Sequence, residues 1–337
     1  MKTILGTGPL GLAVLEVLLK YNPKEKIILV NRTGEIDITI PSNVTLLSGE
    51  VTNKIDMEGV ARKSKLIFSC IDESCQNAED FYPAMASSLA YALKKTSAYL
   101  IFADNLYSYC NVKGQEMDED MPHKAKTKKG LISASLINTL LKTENEFNNR
   151  VAFIKSANFL GPRNYKGIFG KDFLDKLHTE KRIFFYCKTV FPHTFTYVND
   201  CAIAMINIAN TSDAFGQIWH VPNAEAIDLK KWIHLFEEET NKKARIIFMP
   251  KVFSWIAGYF NSRIKEDLEL SYQFEHPFLV NHEKYLTRFG NHSTDPAIIV
   301  QETIQWYRNA QKNKFSLNNL PLDHSFYHRN ENKKWKN

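Results

Sequence analysis

A doubly wound α/β fold, with an open parallel sheet and a smaller interwoven C-terminal lobe, is what this sequence predicts. Two observations carry that expectation. Continuous apolar runs such as KIILV and KLIFSCI alternate with helix-period segments through the first half of the chain. Strands that read as unbroken apolar runs are buried on both faces, which a parallel sheet between helical layers requires. A glycine-rich turn then joins the first run to the first helical segment.

In chain order, strands are expected at Lys2–Leu5, Lys26–Asn31, Val44–Gly49, Lys65–Ile71, Tyr99–Asp104 and Val151–Asn158. Helical periodicity is clearest at Pro9–Lys20, Asp80–Thr96 and Leu131–Asn145. Right-handed crossovers between such strands give the doubly wound arrangement. After Asn158 the pattern changes, with loops marked by Gly161, Pro162, Gly167 and Gly170. A helix near Phe173–His178, a strand at Phe195–Val198, a helix at Asp200–Ala209, a strand at Gln217–Val221 and a helix at Leu229–Glu239 follow. Residues 1–158 form the first domain, and 159–311 a lobe interwoven with the last sheet strands. Residues 312–337 are a polar tail.

The 337 residues are 44% apolar and 24% charged, an ordinary globular balance. The formal charge of +6 gathers at Lys124–Lys129 and near the C-terminus, without interleaved stacking aromatics. That is solvated charge rather than a nucleic-acid surface. The five cysteines, Cys70, Cys75, Cys110, Cys187 and Cys201, have no paired spacing, so no disulfide framework or zinc site is indicated. Cys70 and Cys201 fall in expected core elements, and reduced thiols fit the cytoplasm. The N-terminal apolar stretch carries glycines and Glu16, unlike a signal peptide. No apolar run approaches about 18 residues, so no membrane span is expected.

The turn reads Gly6-Thr7-Gly8-Pro9-Leu10-Gly11. A GxGxxG is weak alone; between a strand and a helix, with a second strand following, it is the Rossmann dinucleotide fingerprint. Gly6 permits the tight turn, Gly8 lets backbone approach a pyrophosphate, and Gly11 allows helix–strand packing. Thr7 and Leu10 flank that approach, and Pro9 is tolerated in a first helical turn. At the end of the second strand, a carboxylate would mark NAD. This chain has Asn31 and Arg32 there, and a guanidinium pairs with a 2′-phosphate, so NADP is favoured with NAD still possible. Arg32 is equally readable as a solvated loop arginine.

Several motifs in series resemble the extended short-chain dehydrogenase/reductase superfamily, of the NAD-dependent epimerase/dehydratase type, over roughly residues 1–310. FADNLYSYC resembles its serine-bearing strand end, and EDMP at Glu119–Pro122 its acidic-proline loop. NFLGP at Asn158–Pro162 resembles Asn-x-Tyr-Gly-Pro, whose asparagine contacts substrate, and FTYVNDCAIAM its Tyr-Val-x-Asp-Val-Ala. The resemblance implies a nicotinamide cofactor, a small-molecule substrate such as a sugar nucleotide, and a homodimer.

The chemistry departs from that pattern. The family moves a proton with Tyr-x-x-x-Lys, whose lysine lowers the tyrosine pKa. Aligned to it, KTKKGLISASL holds Lys129 and Ser133, and Asn105 stands in for the family serine. Tyr109 and Lys113 have the lost spacing and follow a strand whose end should face the ligand. They are the candidate substitute pair, although Asn111 and Gly114 make the segment loop-like. Tyr107 and Asp104 are further candidates. His193 precedes a strand and could reach a substrate, although a structural or surface role suits it better. The leading function is an NAD(P)-dependent oxidoreductase or epimerase/dehydratase acting on a carbonyl or hydroxyl. The alternative is a non-catalytic dinucleotide sensor or partner-binding module.

Overall fold

The computed structural model describes residues 1–72, 78–142, 146–185, 190–248 and 268–311. The early apolar runs form β1 (Lys2–Leu5), β2 (Ile27–Asn31), β3 (Val44–Ser48), β4 (Leu66–Ser69), β5 (Tyr99–Asn105) and β6 (Val151–Ser156). With β10 (Ile218–His220) they make one seven-stranded sheet in the order β10-β6-β5-β4-β1-β2-β3. Every pairing in it is parallel. The strand order reverses between β1 and β4, the switch point where open α/β sheets leave a crevice at their carboxyl ends.

Alternation along the strands decides which helix covers which face. Ile4, Leu29 and Phe68 point into one core, shared with α1 (Pro9–Tyr21) and α6 (Val198–Ala209). Leu5, Ile28 and Ile67 point into the other, under α2 (Lys54–Lys63), α3 (Ala78–Lys95) and α4 (Lys128–Leu140). Thr127 starts α4 by accepting a hydrogen bond from the Gly130 amide at 3.1 Å.

Beyond Ser156 the chain leaves the main sheet. The expected single strand Val151–Asn158 is two, because the Ala157 amide donates to Thr196 Oγ1 at 2.9 Å. That bond turns the chain into β7 (Asn158–Leu160), which pairs in parallel with β9 (Phe195–Tyr197). A second small pair joins β8 (Arg182–Phe185) to β11 (Arg245–Phe248). With α5 (Lys171–His178) and α7 (Leu229–Thr240), these form a lobe whose chain returns to the main sheet through β10.

Helix α2, the β8–β11 pair and the helices Glu283–Phe289 and Pro296–Gln311 add to the expected elements. Cys70 and Cys201 are buried. Among the described residues no helix is long and apolar enough to cross a membrane, and no His/Cys/Asp/Glu group could hold a metal ion. The tail, Cys75, Cys187 and the aromatic segment 255–260 lie outside the described residues.

Candidate functional site

A cleft of about 1050 Å³ opens at the switch point, bordered by the ends of β1, β2, β4, β5 and β6 and by the lobe. Its first wall is the glycine turn. Gly6 has φ +99°, a conformation that side chains avoid, and a Cβ there would lie 2.8 Å from the Cys70 carbonyl oxygen. A Cβ on Gly11 would lie 2.0 Å from the Gly6 carbonyl oxygen, so this glycine is what lets α1 sit against the turn. Around Gly8 a Cβ meets nothing within 4 Å. The chain therefore keeps open space where the N-terminus of α1 presents amide donors and a positive dipole end. Gly6, Thr7, Gly8 and Leu10 border the cleft; Gly11 works behind it.

At the end of β2, the Asn31 side chain is engaged within the protein. Its Oδ1 accepts from the Gly34 amide at 2.7 Å, and its Nδ2 donates to the Glu35 carbonyl at 2.8 Å and to Thr7 Oγ1 at 3.3 Å. Asn31 thus ties the following loop to the glycine turn. Arg32, exposed beside it, is the charged group at this edge of the cleft.

The floor is built from side chains. Register pairs Asp104 on β5 with Lys155 on β6, one step before both strands end. Lys155 is fully buried, and its Nζ donates to Asp104 Oδ2 and the Asn105 carbonyl, both at 2.7 Å. It also reaches Ser108 Oγ at 3.0 Å and Ser133 Oγ at 3.4 Å. Ser133, on α4, donates to the same Asp104 Oδ2 at 2.7 Å. Burial pushes the Lys155 pKa down and the adjacent Asp104 carboxylate pulls it back up. A charge taken this far from water is tolerable only with such partners. Asp104, Asn105 and Ser133 border the cleft, with Lys155 beneath them. Lys129, one turn before Ser133, and Tyr107 also border it, the ammonium 6.0 Å from the ring centre.

The pair Tyr109 and Lys113, expected from its spacing, is not at this site. Neither residue borders the cleft. Tyr109 is buried, and its hydroxyl lies 3.0 Å from His220 Nε2. His220 Nδ1 donates to the Asn281 carbonyl at 2.7 Å, which leaves Nε2 as an acceptor and makes Tyr109 the donor. Burial raises the Tyr109 pKa far above its usual range, the reverse of an activated phenol. Lys113 is exposed on a turn at φ +52°. A four-residue spacing brings side chains together on a helix, and here the helical turn ends at Tyr109.

His193 also sits behind the cleft wall. It is stacked between Phe274 and Phe278, and burial lowers its pKa to about 3. Its Nε2 lies 3.3 Å from Asn158 Nδ2, and Asn158 itself borders the cleft. Lys155 escaped the sequence reading, although a lysine inside VAFIKSA, a strand buried on both faces, is the signal that marks it.

No family model matches the sequence, and no curated protein matches it. Solved structures do match. The dTDP-glucose 4,6-dehydratase of Bacillus anthracis, in complex with NAD, superposes with TM-score 0.76 at 17% identity, over 93% of this chain and 98% of that one. UDP-glucuronic acid 4-epimerase from Bacillus cereus, in complex with NAD, gives 0.74 at 14%, over 94% and 100%. The Bordetella bronchiseptica enzyme WbmH, in complex with NAD+, gives 0.71 at 16%, over 91% and 98%. The chain has their fold. Within it, α4 presents Lys129 and Ser133 to the cleft.

Proposed function

We propose that the chain binds a nicotinamide dinucleotide and uses it for oxidation–reduction, epimerisation or dehydration of a carbonyl or hydroxyl substrate, a sugar nucleotide being the first class to test. The observation that carries this reading is the open space above Gly8, at the switch-point end of α1, in a fold shared with NAD-bound epimerases and dehydratases. The residues fit the group: Gly6 to Gly11 for the pyrophosphate, with Thr7 and Leu10 beside it, and Asn31 and Arg32 at the ribose edge. When bound, the dinucleotide supplies hydride acceptance and donation. Arg32 with no carboxylate at the β2 end favours NADP over NAD.

The chain's own side chains then position substrate and handle its proton. Asn158 borders the cleft as a substrate contact, Asn105 and Lys129 as polar groups beside it, with residues 159–311 as the substrate lobe. The free thiols Cys70, Cys110 and Cys201 support a reducing, cytoplasmic setting, and a homodimer is inferred from the resemblance alone.

The test is a titration with NADP(H) and NAD(H), followed by turnover assays over sugar nucleotides and small ketones. Stabilisation by a dinucleotide with turnover supports the enzyme. A second reading, a non-catalytic dinucleotide sensor, is favoured by Lys129 and Ser133 at the tyrosine and lysine positions. Tight binding without turnover of any substrate selects it.

A further inference from the structure

We propose that Lys155 is the positioning residue of the cleft: rooted on β6, its ammonium holds the Asp104 carboxylate and the Ser133 hydroxyl as the pair that receives the substrate's proton. This rests on the reading of the cleft as a dinucleotide-dependent active site. Three observations carry it. Ser133 stands on α4 where the resembled superfamily roots its lysine, so the helix brings no cation to that point. Lys155 brings one from the neighbouring strand, 3.4 Å from Ser133 Oγ and 2.7 Å from Asp104 Oδ2. The Ser133 hydroxyl already donates to Asp104 at 2.7 Å, so the acceptor of its proton is in place, and both residues border the cleft.

The substrate O–H bond breaks and its proton bonds to Ser133 Oγ, as the original Ser133 proton passes to Asp104 Oδ2. The electron pair of the adjacent C–H bond leaves as hydride to the oxidised dinucleotide, which is reduced as the alcohol becomes a carbonyl. Lys155 touches neither substrate nor dinucleotide. It holds Asp104 and Ser133 at bonding distance.

The groups packed around the Lys155 ammonium also supply a probe independent of turnover. Ser108 Oγ accepts from Lys155, and lies 2.9 Å from His123 Nδ1. The Tyr109 ring centre lies 5.1 Å from the ammonium, and His220 lies beyond it. Burial first, and the Lys155 charge second, lower the His123 pKa, while Asp104 raises it. The His123 titration, followed by NMR on the dinucleotide-free protein, therefore reads whether Lys155 carries charge.

The experiment compares wild type with Lys155→Met and with Ser133→Ala. In Lys155→Met the His123 midpoint rises, and turnover falls by about 10²-fold or more, within the range of a misplaced proton acceptor. Dinucleotide affinity changes less than about threefold, a split that a merely structural lysine would not produce. An unmoved His123 or retained turnover overturns the proposal. Should Lys155→Met fail to fold, Ser133→Ala decides: lost turnover with unchanged dinucleotide affinity supports the pair, and retained turnover overturns it. Wild-type protein that binds no dinucleotide overturns the functional reading and the proton step with it, while the His123 titration still judges the cation. Wild-type protein that binds dinucleotide but turns nothing over overturns the proton step alone.

Discussion

At one wall of the cleft, six consecutive residues, Gly6 to Gly11, build a tight turn out of backbone. At the floor, Asp104, Ser133 and Lys155 meet from β5, α4 and β6, with up to 51 positions between hydrogen-bonded partners. The turn works through what it lacks, since each glycine is defined by the atom a Cβ would strike or the space it would fill. The floor works through what it holds, a buried charge pair whose members are tolerable only together. A site made of local backbone is robust to its surroundings, whereas a site made of distant side chains fails when any partner is removed.

Acidification is expected to separate the two regions most. Residues 6–11 carry no titratable side chain, while His193 and His220, behind the floor and the lobe wall, are both lowered to about 3 by burial. In the unfolded chain each takes a proton near pH 6.5, so between about 6.5 and 3 the unfolded state binds more protons. The stability from these two histidines is fully present above 6.5 and falls as pH drops toward 3, by up to about 1.4 kcal/mol per pH unit each. The buried Glu16 and Asp200 carboxyls, both raised to about 7 by burial, follow the opposite trend. Urea unfolding of wild type and His220→Gln at pH 7, 6, 5 and 4 reads the histidine share, and parallel profiles for the two would break the contrast.

Next in size is the charge pair. Asp104→Ala leaves the Lys155 ammonium buried without its carboxylate, a change of the kind that costs about 3–5 kcal/mol. Gly8→Ala places its Cβ in open space and should alter stability by no more than about 0.5 kcal/mol. Comparable losses in the two variants would mean that the floor is not held as described.

How much of this was legible follows the same division. The parallel sheet between helical layers and the glycine turn are written in contiguous patterns: apolar runs of strand length, one helix period, and glycines at fixed spacing. The Tyr109–Lys113 pair was misjudged because spacing implies proximity only on a helix, and the chain leaves its helical turn at Cys110 with φ +69°. The β8–β11 pair joins segments more than 60 residues apart and has no local signature. The Asp104–Lys155 contact depends on β5 and β6 being neighbours in register, which the parallel topology fixes but no local motif states.

Two smaller effects sharpen the picture. Arg32→Ala should weaken NADP by about tenfold to hundredfold, since a charge-assisted contact contributes roughly 1.5–3 kcal/mol, with NAD changing little. Equal losses for both would remove Arg32 as the discriminator. Tyr109→Phe deletes the donor to His220 Nε2 and should cost about 1 kcal/mol of stability, while leaving dinucleotide affinity unchanged. Lost dinucleotide affinity in that variant would return Tyr109 to the cleft.

The central claim, that the Gly6–Gly11 turn holds a dinucleotide, is tested most directly by thermal unfolding of wild type and Gly8→Val across titrations with NADPH and NADH. Ligand that binds only the folded state raises the midpoint as its concentration passes the dissociation constant. Wild-type protein is predicted to be stabilised, more by NADPH than by NADH, and Gly8→Val, folded but with its open space filled, is predicted to be unresponsive. No rise in wild type at saturating concentrations of either dinucleotide, or an equal rise in Gly8→Val, would contradict the account.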